Sequence, residues 1–321
     1  MKLRVIGVSF TFVGAVVGAG FASGREISLY FAHTSVFTPL LAGVLITAFF
    51  YLFLSLGRYT GGNIELIGGR VGKIMPILIK CCSYVTLVAM IAGSEEIIYN
   101  LFHIHGGSVV TGVLALIVVL FGVEKIKLSN VFIVPAIIIM IALVFFKEKD
   151  AVPFEKLSVI PAFTYATMNV ISAGFFASKM SGDFDKKECL ITALIGGIIT
   201  TALILAVFFS IQNTLDFSMP LLSAATNANL SVVGYIVAYL AVFSTLTGSL
   251  SIVSGDKGYL AVILTSVGFL IALVGFRNIV DKCYPIMGAV GGIMTVIYII
   301  LYLKRLYLDK KTIKIPEARL G

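Results

Sequence analysis

The residues best placed to do chemistry in this chain are main-chain groups. Between Gly14 and Gly24 the sequence reads GAVVGAGFASG, four glycines in eleven residues inside an apolar stretch. Each glycine in a helix interior costs roughly 0.5 to 1 kcal/mol, so the run needs a reason. One reading is close packing, because Gly14 and Gly18 form a GxxxG step and Gly20 and Gly24 are also four apart. The other is a broken helix whose freed N–H and C=O groups bind an anion and a cation. Irregular backbone survives at membrane depth only where protein buries it or it lines a cavity. A break there marks a binding site.

Side chains with chemistry are few. A hydroxyl run, Ser244, Thr245, Thr247, Ser249 and Ser251, lies in a later apolar stretch, and three acids, Glu26, Glu95 and Glu96, fall in or beside apolar segments. Intramembrane acids are expensive and mark proton or ion pathways by default. Counting 1.5 Å per residue from Ile74 puts Glu95 and Glu96 roughly 30 Å along their helix, at an outer rim; Glu26 is expected to pair with Arg25 or another outer cation. Cys81, Cys82, Cys189 and Cys283 have no metal-like spacing, and His103 with His105 supplies two ligands, too few for a metal site. No nucleophile, base and orienter cluster together, which argues against an enzyme.

The elements that must carry these groups are membrane spans. The 321 residues are 59% hydrophobic and 12% charged, with a mean hydropathy of +1.06. Apolar runs near twenty residues recur from end to end, the pattern of a polytopic membrane protein. Ten spans are predicted: 5–32, 38–57, 74–102, 108–123, 128–146, 159–180, 189–211, 231–254, 259–276 and 284–303. Alternation from a cytoplasmic start leaves Lys147, Lys149, Lys156, Arg277 and Lys282 outside, with Arg25 near the outer end of the first span. The remainder of the 24 Lys and Arg falls inside. That bias places both termini in the cytoplasm and the chain in the cell membrane. It accounts for the net charge of +8 through anionic lipid, without nucleic acid. Residues 217–228 are too short to span and are expected to form an outer hairpin or lid.

An internal repeat organises the spans. Ala19-Gly20-Phe21-Ala22-Ser23 in the first recurs as Ala173-Gly174-Phe175-Phe176-Ala177-Ser178 in the sixth, 154 to 155 residues later. Tyr84 and Gly93-Ser94 in the third recur as Tyr239 and Gly248-Ser249 in the eighth, at the same offset. Residues 1–150 and 151–305 thus read as two copies of five spans, with a basic cytoplasmic tail over 306–321. Five is odd, so the copies are inverted in the membrane. Glycine-interrupted helices at matching positions of inverted repeats point to a secondary transporter, with the first and sixth helices broken.

With these residues in view, the chain resembles the amino acid–polyamine–organocation superfamily and its leucine-transporter fold. The opening GAVVGAGFASGRE looks like a small bacterial family of amino-acid permeases within it. The expected architecture is all-α and integral to the membrane, ten helices as a 5+5 inverted repeat. In sodium-coupled members the first helix carries G-x-x-V-G-x-G, matched by Gly14, Val17, Gly18 and Gly20, and the eighth carries A-x-x-[ST]-[ST], matched by Ala241, Ser244 and Thr245. The resemblance implies Na⁺ as coupling ion, held by the Gly14, Val17 and Ala241 carbonyls and the Ser244 and Thr245 hydroxyls; hydroxyl back-bonding within the eighth helix is the competing role. It also implies a solute pocket between helices one, three, six and eight. There Gly18, Ala19, Gly20 and Phe21 meet Asn169, Ser172, Gly174 and Phe175, with backbone N–H groups for a carboxylate and Phe175 as a lid.

Other consequences are implied in the same way. An outer gate pairs Arg25 with Asp281, although Arg25 stands one residue out of register with relatives, and Arg4 with Asp256 forms an inner gate. Some relatives replace the sodium by a lysine of the fifth helix, but 128–146 holds no ionisable residue. The leading expectation is a Na⁺ symporter of a small amino acid or related zwitterionic or anionic solute, working by alternating access without an organic cofactor. Proton coupling in the same fold, a ligand receptor that does not transport, and a channel are the alternatives; no ring of filter residues favours the last.

Overall fold

The computed structural model describes residues 2–65, 69–121, 124–148 and 156–313. Every regular element among them is a helix, because a chain this apolar must satisfy its backbone within each segment. The first span is three pieces: α1 (Lys2–Val16), α2 (Ala19–Ser23) and α3 (Arg25–Phe31). Then come α4 (Phe37–Tyr59), α5 (Arg70–Phe102), α6 (Gly107–Leu120) and α7 (Glu124–Lys147). The second half holds α8 (Val159–Met180), α9 (Lys186–Ser210), the short α10 (Pro220–Asn227), α11 (Ser231–Ser254), α12 (Gly258–Ala272) and α13 (Phe276–Ile313).

Six of these, within α4, α5, α8, α9, α11 and α13, are long and apolar enough to cross a bilayer, and four shorter apolar helices stand beside them. The start of the tail expected over 306–321 continues α13 as helix through Ile313, and its last residues lie outside the described ones.

The packing carries the repeat. α4 packs on α8 as its counterpart α9 packs on α1. Likewise α11 meets α6 and α7 where α5 meets α12 and α13, and the equivalent pairs α1/α8, α4/α9 and α5/α11 face each other. An exchange of partners of this kind is what two copies related by an approximate twofold would give. α1, α4, α8 and α9 form one group, and α5, α6, α11 and α12 the other.

The structure corrects one expected feature. α8 is a continuous helix through 169–178, not a broken one. Its Gly174 serves the packing role: a methyl group there would lie 3.0 Å from the Phe53 ring of α4 and from Val170. Only the first of the two matching glycine motifs opens the backbone.

Candidate functional site

The break in the first span has a specific hydrogen-bond pattern. In an intact helix Gly18 N–H would donate to Gly14 C=O and Ala19 N–H to Ala15 C=O. Here Gly18 N–H turns back to Val16 C=O at 2.9 Å, and Ala19 N–H reaches Thr245 Oγ1 of α11 at 3.4 Å. The carbonyls of Gly14 and Ala15 thereby lose their helical donors. Gly24 makes a second break, in the left-handed region at φ 77°, where an added methyl would lie 2.7 Å from the Leu221 backbone nitrogen. Glycine is needed at that position twice over, for conformation and for space.

A cavity of about 290 Å³ lies against the first break. Its wall includes all five residues expected to hold a cation: Gly14, Val17, Ala241, Ser244 and Thr245. Ser172, Ser249 and Gly248 join them, and the wall extends along α11 as far as Ile252. The hydroxyl run sorts itself by geometry. Thr247 bonds back to Phe243 C=O at 3.0 Å and Ser244 C=O at 2.9 Å, the competing role foreseen for the run, whereas Thr245 Oγ1 accepts from the first span.

A second cavity of about 120 Å³ adjoins it, sharing Ala15, Gly18, Thr86, Ser172, Thr245 and Met287. Ala19, Gly20 and Asn169, three further expected solute residues, line it, with Glu26, Met90, Met168 and Tyr284. Asn169 donates to Tyr165 C=O at 3.1 Å on its own helix. Phe21, Gly174 and Phe175 line neither cavity. Phe21 is fully buried, and Phe175 lies under the Lys179 ammonium, 4.6 Å from the ring centroid; the neighbouring Phe176 faces the larger cavity in its place. The unbroken α8 explains the swap, since without an unwound turn Phe175 stays on the packed face.

Beyond the small cavity the chain is closed at the face opposite the amino terminus. Arg25, one of the most buried charges with a side chain 6% exposed, forms a two-pronged ion pair with Asp281, its Nε donating to Oδ1 at 2.9 Å. The same guanidinium donates to Phe217 C=O at 3.3 Å. Arg277 donates to Asp216 C=O at 2.8 Å and stands 3.7 Å from Asp281. Ser28 Oγ donates to Leu215 C=O, and α10 lays Leu221 on Gly24, so residues 214–228 cover this end of the first span as a lid would, where an outer hairpin or lid was expected over 217–228. Lys147 at the end of α7 donates to Ala228 C=O at 3.1 Å and ties that helix to the lid.

Several expected partnerships change. Glu26 does not pair with Arg25, which is committed to Asp281; its carboxyl folds back over Gly20. Arg4 pairs with Asp183 at 3.3 Å instead of Asp256, and Phe184 offers its ring to the same guanidinium at 5.6 Å. Glu95 is a helix cap, accepting from Gly106 N–H at 2.9 Å and from Ser108 N–H and Oγ at 2.8 Å. Glu96 accepts from Ser218 Oγ of the lid at 2.8 Å. No group of three or more metal-ligating side chains occurs among the described residues. Sequence reasoning missed Thr86 and the methionine wall; the Glu26 orientation was within reach, since neighbours on a helix point about 100° apart.

No protein-family model matches the chain. It is 24% identical, over 88% of its length and 92% of the other's, to an uncharacterized membrane protein, YkvI, of Bacillus subtilis (strain 168). A solved structure of the inward-facing conformation of Mhp1 superposes with a TM-score of 0.63 at 14% identity, covering 93% of this chain and 76% of that one. Another, of Mhp1 as a nucleobase-cation-symport-1 family transporter in a closed conformation with bromovinylhydantoin bound, gives 0.47 at 14% identity, covering 92% and 73%. The chain is a multi-pass membrane protein with the transporter fold of Mhp1.

Proposed function

We propose that this protein is a secondary active transporter, a Na⁺-coupled symporter of a small amino acid or related solute. The observation that carries the reading is the diversion of two N–H groups at Gly18 and Ala19. It leaves the Gly14 and Ala15 carbonyls without helical donors beside a cavity that Ser244 and Thr245 also face. An oxygen-only set of this kind suits a hard cation of low charge, and a break of this kind is where transporters of this fold class place ions and solutes. The chemistry of the donors therefore fits sodium, with the ion as cargo. Mhp1 is named a member of a cation-symport family, which supports an ion-coupled cycle for a chain of the same fold.

The charge bias puts the amino-terminal face in the cytoplasm. On that orientation the lid and the Arg25–Asp281 pair close the outside, while the cavity extends inward along α11 to Ile252. This is the inward-facing arrangement of an alternating-access cycle. Outward opening requires the lid to leave Gly24 and the ion pair to break; solute and sodium bias that equilibrium by binding the two arrangements unequally. In this structure Gly18 and Ala19 N–H are engaged, so a solute carboxylate would take them only after the Val16 and Thr245 bonds are exchanged.

The test is a proteoliposome uptake screen of amino acids with and without an inward sodium gradient. Accumulation that requires sodium supports the reading, and accumulation driven by a pH gradient alone refutes sodium coupling. A receptor that does not transport would bind ligand without counterflow.

A further inference from the structure

Among the described residues the two cavities contain one acidic or basic side chain between them. No described Lys, Arg or His lines them, and the one described carboxyl is that of Glu26, 8% exposed as a residue and at the edge of the smaller space. Its Oε2 is buried without a hydrogen-bond partner. The adjacent cation in sequence is bound elsewhere, by Asp281 and Phe217 C=O. Ionised, a carboxyl left in this condition is expensive, and a cationic group arriving from outside the protein is the complement that offsets that cost.

The local backbone is shaped to put the carboxyl there. Gly24 turns the chain into the left-handed region, α3 starts afresh, and the Glu26 side chain points back toward the break, as helical side chains lean toward their N-terminus. A methyl group at Gly20 would overlap the Glu26 carboxyl. Gly20 is therefore the clearance that lets the acid reach the cavity. The rest of the lining is neutral: Asn169, Ser172 and Thr245 offer hydrogen bonds, and Met90, Met168, Met287 and Tyr284 supply a polarisable wall.

We propose that Glu26 is the residue that recognises a positively charged nitrogen on the transported solute, so the substrate class is restricted to compounds bearing a protonated amine. Amino acids qualify through their ammonium group; simple amines qualify too; purely anionic solutes do not. The proposal rests on the transporter reading for why a solute enters this cavity, and it narrows the solute class left open there. A charge-assisted hydrogen bond between the ammonium and a desolvated carboxylate discriminates strongly against a hydroxyl in the same position.

The experiment compares glycine, alanine and serine with glycolate, lactate and glycerate, and adds ethanolamine and putrescine. Each is measured by thermal shift on the purified full-length protein and by uptake in proteoliposomes. Stabilisation and uptake by amino compounds alone are expected. Glu26→Gln should weaken that binding by roughly thirtyfold or more, Glu26→Asp by less, and Gly20→Ala should act like Glu26→Gln because it displaces the carboxyl. Gel filtration and the unliganded melting temperature identify any variant that fails to fold. The proposal is overturned if a 2-hydroxy acid binds as well as its amino counterpart, if no amine binds, or if folded Glu26→Gln keeps full amine affinity and loses only pH-driven uptake. Glu26-dependent amine binding without sodium-driven uptake would sink the symport reading and leave this one standing. Sodium-driven uptake of lactate would do the reverse.

Discussion

Replacing Asp281 by Asn keeps the shape of the outer closure and removes its charge, which tests the buried pair with Arg25 together with the looser, half-exposed one with Arg277. Breaking a fully buried pair costs about 3 to 5 kcal/mol, and an exposed one contributes about 0 to 1. Here Arg25 is 6% exposed and Asp281 31%, and Arg25 retains the Phe217 carbonyl, so about 2 kcal/mol is the expected loss from the closed form. At about 1.4 kcal/mol per factor of ten, that moves the closed-to-open ratio roughly thirtyfold. The reporter is Ser28→Cys in a background without the four native cysteines, since Ser28 is 4% exposed beneath the lid. Labelling by a membrane-impermeant maleimide from the lid side should quicken roughly thirtyfold with Asp281→Asn. Arg4→Ala removes an ion pair whose side chains are 55% and 89% exposed and should change the rate only slightly. An unchanged labelling rate in Asp281→Asn would refute the view that this pair holds the face shut.

Further expectations concern separate parts of the molecule. Gly24→Ala meets both a positive φ and the Leu221 backbone, so it should lower the melting temperature by several degrees, corresponding to about 1 to 3 kcal/mol; Gly7→Ala, with open space beside it in α1, should be neutral or stabilising. Glu95→Gln weakens the cap on α6 by about 1 kcal/mol, which hydrogen exchange should detect as faster exchange at Gly106 to Val110, with solute affinity unchanged. Gly174→Ala crowds Phe53 and should reduce thermal stability without changing the sodium dependence of uptake, since that glycine packs helices and lines neither cavity.

The break in the first span was legible because four glycines in an apolar run have few other uses in a membrane. Its echo in α8 was misleading: a glycine that admits the Phe53 ring and one that opens the backbone leave the same letters in a sequence. Which role a glycine has is settled by the neighbour opposite it, and that neighbour lies more than a hundred residues away. The Arg25–Asp281 pair forms although the family resemblance puts Arg25 one residue out of register. Gly24 restarts the helix, so residue counting from the unwound segment does not carry across it. Glu26 was read as a companion of Arg25, yet adjacent helical residues diverge, one toward the lid and the other toward the cavity. Arg4 meets Asp183 and the Phe184 ring and not Asp256, contacts with no sequence signature.

The central claim is that the opened backbone at Gly14 to Gly18, together with Ser244 and Thr245, carries sodium in step with solute. Its most direct test is the flux of radiolabelled sodium into proteoliposomes, measured with and without an accepted solute, for wild type and for Ser244→Ala with Thr245→Ala. The account predicts sodium entry that depends on solute in the wild type and is lost in the double variant. Full solute uptake with no accompanying sodium, or sodium coupling that survives removal of both hydroxyls, would contradict it.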